Sequence, residues 1–309
     1  MLSLTDSLVR RFQSALRSKR WHFVGVATER LYLSAAIVDG GYAGSAFVCL
    51  VDLETGTTLK NLSFLGVPRL SLQINEKAGA GARASFRQLG SSIELWRPEQ
   101  SSKYNLAIDS GDFHVEASFD TALAPPPLIV SGLAKKNILA STQKTNLMPA
   151  QGRIRLNSKL LNLEGALASL DFSSGFFPRI TEWRWGFAQG RLTDGTPVGF
   201  NLADGNNLGG QNENGLWIGK HLYRVDEAEF FFDRQNVVAP WRIKTKDGLL
   251  NLAFTAKGVH REDRNLLIVK SRFAQVMGRY SGSIRHPETG ESYEINGLPG
   301  VAEDQAVKW

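Results

Sequence analysis

From Trp21 onward the chain is written in twos. Trp21, Phe23, Gly25 and Ala27 alternate with His22, Val24 and Val26, and Leu31, Leu33, Ala35 and Ile37 keep the same period. A period of two puts successive side chains on opposite faces of a strand, whereas a helix repeats every 3.6 residues. Short runs of this kind recur almost to the end. They are broken by Asp39-Gly40, Ser110-Gly111, Asp194-Gly195, Asp247-Gly248 and Glu288-Thr289-Gly290, which are hairpin-closing sequences. The 30 glycines suit many turns and bulges. Strands of this length and spacing predict an all-β chain of antiparallel barrels or sandwiches.

The 309 residues are enough for two such units. Within residues 1–20, Leu8, Val9, Phe12, Ala15 and Leu16 fall at helical spacing opposite Arg10, Arg11 and Arg17. This predicts a short amphipathic N-terminal helix, either packed over a barrel end or in peripheral contact with an anionic membrane. Residues 21–124 form the first β unit. Ala124-Pro125-Pro126-Pro127 excludes helix and opens a linker or crossover over 125–149, in which Leu128 to Val130 can join a sheet edge. Residues 150–309 form the second β unit.

Composition narrows the function classes. A hydrophobic fraction of 42%, a charged fraction of 21% and a net charge of +6 are those of a globular protein that buries a sizeable core. The basic residues cluster at the start and no recognised nucleic-acid module follows, which argues against nucleic acid as a partner. Cys49 is the only cysteine, so there is no internal disulfide and no cysteine metal site; it reads as a buried small hydrophobe. The five histidines lack metal-ligand spacing, and nucleotide fingerprints, phosphate loops and nucleophile elbows are missing, so neither metal nor cofactor is expected. No apolar run approaches the roughly 20 residues of a membrane span, and Arg10 and Arg11 interrupt any signal-peptide core. A cytoplasmic protein is the expectation.

The densest chemistry lies in residues 171–220. Trp183 and Trp185 share one strand face and either line a cavity or anchor a core. Asp171 sits in the apolar run Ser169-Leu170-Asp171-Phe172, where burial is costly without a partner. It faces solvent, caps a turn, or serves as an acid with a raised pKa. Asn212-Glu213-Asn214 offers two amides and a carboxylate that bind a polar head, hold a cation or build a turn, with Asn201 and Asp204 just upstream. Phe187 and Trp217 extend the apolar wall. His221 is the histidine nearest this stretch and has acid–base chemistry available to it.

One ordered series of motifs runs through the chain. It begins with Lys19-Arg20-Trp21, Lys144, Asp171 with Gly175 and Pro178, and Trp183-Arg184-Trp185. It goes on through Gly199-Phe200-Asn201-Leu202, Asn212-Glu213-Asn214, Pro240-Trp241 and Asp247-Gly248. It ends with Gln275-Val276-Met277-Gly278, Gly300-Val301-Ala302-Glu303-Asp304 and Trp309. The series resembles the bacterial domain-of-unknown-function 2804 family, which is similar to the tandem lipocalin-like AttH and carotenoid hydratase group. The resemblance implies two consecutive lipocalin-like, calycin-type antiparallel β-barrels. It also implies that the second barrel holds the more distinctive residues. Gln305 stands where related sequences often carry a basic residue or histidine, which weakens the tail as a source of a catalytic proton carrier.

Three functions follow as expectations. The first is binding of a hydrophobic, lipid- or isoprenoid-like small molecule in a barrel cavity. Trp183, Trp185, Phe187 and Trp217 would form its wall, and Asn201, Asn212, Glu213 and Asn214 would meet the head group. The second is a hydratase or isomerase that protonates a hydrophobic polyene, with Asp171 or Glu213 as acid and the indoles stabilising the cation. The third is a non-catalytic scaffold with filled barrels. The oligomeric state is not written in the sequence.

Overall fold

The computed structural model describes residues 18–135, 138–205, 210–266 and 269–309. The first sheet contains β1 (Ser18–Ala27), β2 (Leu31–Asp39), β3 (Gly44–Asp52), β4 (Thr57–Gly66), β5 (Leu72–Ile74), β6 (Arg83–Gln88), β7 (Ser91–Trp96), β8 (Lys103–Ser110), β9 (Phe113–Asp120), β10 (Leu128–Lys135), β11 (Ile138–Leu156), β12 (Lys159–Asn162) and β13 (Leu167–Phe176). The second contains β14 (Ile180–Arg191), β15 (Pro197–Asp204), β16 (Gly215–Ile218), β17 (His221–Arg224), β18 (Ala228–Phe231), β19 (Trp241–Thr245), β20 (Leu250–Leu266), β21 (Val269–Arg285) and β22 (Ser292–Lys308). The sheets run β4-β3-β2-β1-β13-β11-β9-β8-β7-β6-β5, with β10 and β12 on β11, and β17-β16-β15-β14-β22-β21-β20-β19-β18. Each coils into a near-closed barrel.

The burial pattern explains which strands face what. β8 and β9 bury alternate residues, as expected when one sheet face meets the barrel interior and the other meets water. β1 to β3 are buried on both faces. Val24 and Val26 of β1 point into the first barrel, while Phe23 and Ala27 point out into a core shared with Trp185, Phe187, Met277 and Val301 of the second. The barrels are therefore joined by an apolar interface of their own. Their interiors are filled with side chains: Phe86, Phe113 and Phe119 in the first, and Phe200, Trp241 and Phe254 in the second, are each fully buried. Burying one such ring contributes about 1.5–3 kcal/mol.

One glycine sets the distance between barrels. β20 carries a register shift between Ala256 and Gly258. A Cβ at Gly258 would lie 2.6 Å from Val51 Cγ2 on β3, so a side chain there would push β20 away from the first barrel. The close approach brings His260 and Glu262 against β4.

Two expectations about organisation change, and a third falls mostly outside the described residues. The N-terminal helix and its membrane contact lie outside the described residues, except that Ser18 to Arg20 are strand and begin β1. The segment 125–149 is not a linker: after the prolines it holds β10 and much of β11. β13 pairs with β1 and β11, so the first barrel reaches Phe176 and the second begins at Ile180. Three prolines stop a helix, but they do not stop the next segment from joining a sheet.

Candidate active site

The site residues meet between the barrels, in a cleft of about 160 Å³. An apolar cavity of ~150 Å³ already holds a benzene ring, so the cleft admits at least a ring-sized body. Strand register builds both of its walls. On the second barrel, Trp185 pairs with Glu303, Glu303 with Gln275, and Gln275 with His260. Two residues along each strand, Trp183 pairs with Gln305, Gln305 with Phe273, and Phe273 with Glu262. On the first barrel, Lys144 pairs with Asp171, Asp171 with Phe23, Phe23 with Ala36, and Ala36 with Phe47. Because the side-chain period is two, every member of such a row faces the same way.

At one end lies a buried charge cluster. Lys144 Nζ is 2.7 Å from Asp171 Oδ1 and 3.4 Å from Glu213 Oε2, with all three side chains under 10% exposed. Asp171 also accepts from Trp21 Nε1 at 3.1 Å, Ser173 Oγ at 3.2 Å and Thr142 Oγ1 at 3.3 Å. Each of these four partners, Lys144, Trp21, Ser173 and Thr142, is a donor. Burial pulls the Lys144 ammonium down, but Asp171 and Glu213 outweigh it and leave the group above its ordinary value. Burial pushes Glu213 up, and the charge of Asp171 adds to this against the opposing pull of Lys144. Lys144 also lies 5.5 Å from the centre of the Trp185 ring, within cation–π range.

Across the cleft stands Glu303, 6% exposed. Burial pushes its carboxyl up to about 7, against hydrogen bonds from Gln275 and Trp183 that favour the charged form; the charge of Asp171 adds to the rise and Lys144 opposes it. Trp183 Nε1 donates to Oε1 at 2.8 Å and Gln275 Nε2 to Oε2 at 2.8 Å. Ser34 Oγ donates to Gln275 Oε1 at 2.8 Å, which turns the amide nitrogen toward Glu303. Neither Trp183 nor Gln275 can accept a proton at these atoms. The Trp21 and Trp183 rings lie nearly parallel, 6.1 Å apart.

Of the residues singled out from sequence, Asp171, Glu213, Trp183 and Trp185 converge on the cleft. Asn201 is buried behind it, accepting from Trp185 Nε1 at 2.7 Å and donating to the Glu213 carbonyl at 2.5 Å; it positions two wall residues. Asn212 and Asn214 build the turn: Asn214 N donates to Asn212 Oδ1, and Asn214 Nδ2 to the Asp226 carbonyl. Phe187 packs against Trp185 in the interface core, 5.4 Å between rings. Trp217 is fully buried and donates to the Pro126 carbonyl at 2.9 Å. His221 is exposed beside Tyr223, because β17 is the outer strand of its sheet. The expected head-group set therefore divides between cleft and scaffold, and the cleft is not the lumen of the second barrel.

Lys144, Glu303, Gln275 and Trp21 were not among the residues singled out for chemistry. Lys144 lay in the stretch read as a linker. Glu303 lies in the polar run Glu303-Asp304-Gln305, where neighbours point to opposite faces. Asp304 faces away and sits 2.8 Å from Arg272. Among the described residues no group of histidine, cysteine and carboxylate side chains is arranged to hold a metal. Among the described residues no helix is long and apolar enough to cross a membrane.

Comparison with curated proteins returns no match. Solved structures do match in fold. Kievitone hydratase of Nectria haematococca superposes with a TM-score of 0.56 at 9% identity, over 94% of this chain and 88% of that one. CghA with Sch210972 gives 0.53 at 12% identity over 94% and 88%. An AttH-type protein of Nitrosomonas europaea gives 0.52 at 12% identity over 94% and 92%. At such identities the likeness establishes the shared tandem-barrel fold and nothing of chemistry. The sequence profile described as Domain of unknown function (DUF2804) matches residues 2–309, and the chain belongs to that family.

Proposed function

We propose that the cleft binds an elongated, largely apolar small molecule and moves a proton at one of its carbon–carbon double bonds, giving hydration or isomerisation. The observation that carries this reading is Glu303: a buried carboxyl near neutrality, facing indole walls and held only by donors. A general acid works best with a pKa near the working pH. Protonation of one alkene carbon by Glu303 leaves its carboxylate and a carbocation. The faces of Trp183 and Trp185 attract such a cation. Water then adds to the cationic carbon and returns a proton to Glu303, for net addition of H and OH. In isomerisation, a neighbouring C–H returns the proton instead. Asp171, fixed by Lys144, Trp21 and Ser173, adds a fixed negative charge on the facing wall. One of the proteins that share the fold is named a hydratase, which is in keeping with this reading.

The test is proton exchange. The purified protein is incubated in D2O with a panel of apolar alkenes and polyenes, and the recovered molecules are analysed by mass spectrometry. The expected result is enzyme-dependent deuterium at carbon, abolished by Glu303→Gln. Panel members that bind yet return unlabelled would reduce the protein to a carrier.

A further inference from the structure

The far end of the cleft holds a second polar cluster that the proton chemistry does not use. Ser63 lies on β4, and His260, Glu262 and Arg264 face it from β20. Arg264 and Glu262 line the same cleft as Glu303. Counting along the register, Arg264 stands two strands and four residues from Glu303, roughly 10 Å by 13 Å. Phe47 and Phe273 supply the apolar part of the bed between, their rings 5.5 Å apart, and Gln275 and Gln305 line it beside them.

Within the cluster one donor is left over. Arg264 Nη2 is fully engaged, with Ser63 Oγ at 2.8 Å, Glu262 Oε2 at 2.9 Å and the Phe64 carbonyl at 3.4 Å. Nη1 is shielded from solvent and has no acceptor. A buried guanidinium donor with nothing to bond is costly, and a native structure seldom leaves one without a reason. Glu262 meanwhile has its charge fixed. Burial alone would push it up, but hydrogen bonds from His260 and Ser63 and the charge of Arg264 hold it below the usual carboxylate range. The Arg264 charge is thus already offset at Nη2, and what remains at Nη1 is a donor with little net charge behind it.

We propose that Arg264 Nη1 anchors an acceptor oxygen, a carbonyl in preference to a carboxylate, on the end of an otherwise apolar ligand. The inference rests on the cleft being a small-molecule site and adds the substrate class: an elongated hydrocarbon frame with a carbonyl at the Arg264 end and its double bond near Glu303. Arg264 is then a specificity-determining residue, remote from the reacting carbon.

Three probes of matched size separate the claims: 2-acetylnaphthalene, 2-naphthoate and 2-ethylnaphthalene, titrated calorimetrically against wild type, Arg264→Leu and Arg264→Gln. One hydrogen bond from a donor with little net charge corresponds to about three- to tenfold in affinity. Wild type should therefore bind the ketone about three- to tenfold more tightly than the hydrocarbon. Arg264→Leu should erase that preference, read as a ketone-to-hydrocarbon affinity ratio that falls to about one, and Arg264→Gln, which keeps an N–H donor, should retain part of it. An unchanged ketone-to-hydrocarbon ratio in Arg264→Leu overturns the anchor but leaves the cleft as a binding site. Carboxylate binding more tightly than ketone overturns the preference for a neutral oxygen. Failure of all three probes to bind wild type removes the anchor together with the cleft reading beneath it.

Discussion

The Trp183 indole reaches diagonally across the β14–β22 pairing and donates to the Glu303 carboxyl at 2.8 Å. A donor of this kind stabilises the charged form, so it opposes the burial that pushes Glu303 up. Trp183→Phe keeps the apolar wall and removes only the N–H. The expected result is a Glu303 midpoint above that of wild type, read as an upward move of the alkaline limb of turnover. A limb that stays in place would mean that Trp183 does not tune the acid.

Glu303 also links stability to pH. Its pKa of about 7 in the folded chain exceeds its ordinary value of 4.5, so between these pH values the folded state holds a proton that the unfolded state has released. Its contribution is fully present below about pH 4.5 and is lost as pH rises through 7, a fall of up to ~3 kcal/mol. Glu303→Gln should flatten that slope in urea unfolding followed from pH 4.5 to 8. An unchanged slope would contradict a raised Glu303.

Lys144 is the cation between two buried carboxylates. Removing one partner of a buried ionic set leaves charge uncompensated, at a cost of about 3–5 kcal/mol. Lys144→Met should show that loss in denaturant midpoint. Lys144→Met combined with Asp171→Asn should recover a substantial part of it, since the two residues act as one unit. Strictly additive losses would mean that the pair is not coupled.

His221 is exposed and remote from the cleft lining. His221→Ala should change stability by no more than about 0.5 kcal/mol and leave turnover and its pH profile untouched. A lost pH limb in this variant would move the acid–base chemistry to the outer strands.

The two barrels were legible because a period of two survives any tertiary arrangement: Trp21, Phe23 and Ala27 share a face whether that face meets water, a lumen or another barrel. Which of these it meets was not legible. Phe23 and Trp185 lie far apart in sequence and stack edge to face at 5.2 Å only because the barrels dock. Asp171 drew attention because a carboxylate in an apolar strand requires a partner, and the partner is Lys144. That lysine sits 27 positions earlier (171 minus 144), inside the stretch read as a linker. Asn212 and Asn214 look alike as turn builders and as ligands for a head group, since the same amide atoms serve both uses; only their bonds within the turn separate the two. Glu303 and Asp304 are both acidic and adjacent in sequence, and β-strand alternation sends one to the cleft and the other to Arg272.

The most direct measurement is the titration of Glu303 itself, by NMR of protein carrying carbon-13 at the glutamate side-chain carboxyls, with Glu303→Gln supplying the assignment. The account predicts a carboxyl resonance that titrates near pH 7 and vanishes in the variant. A Glu303 signal that titrates in the ordinary carboxylate range, near 4.5, would contradict it.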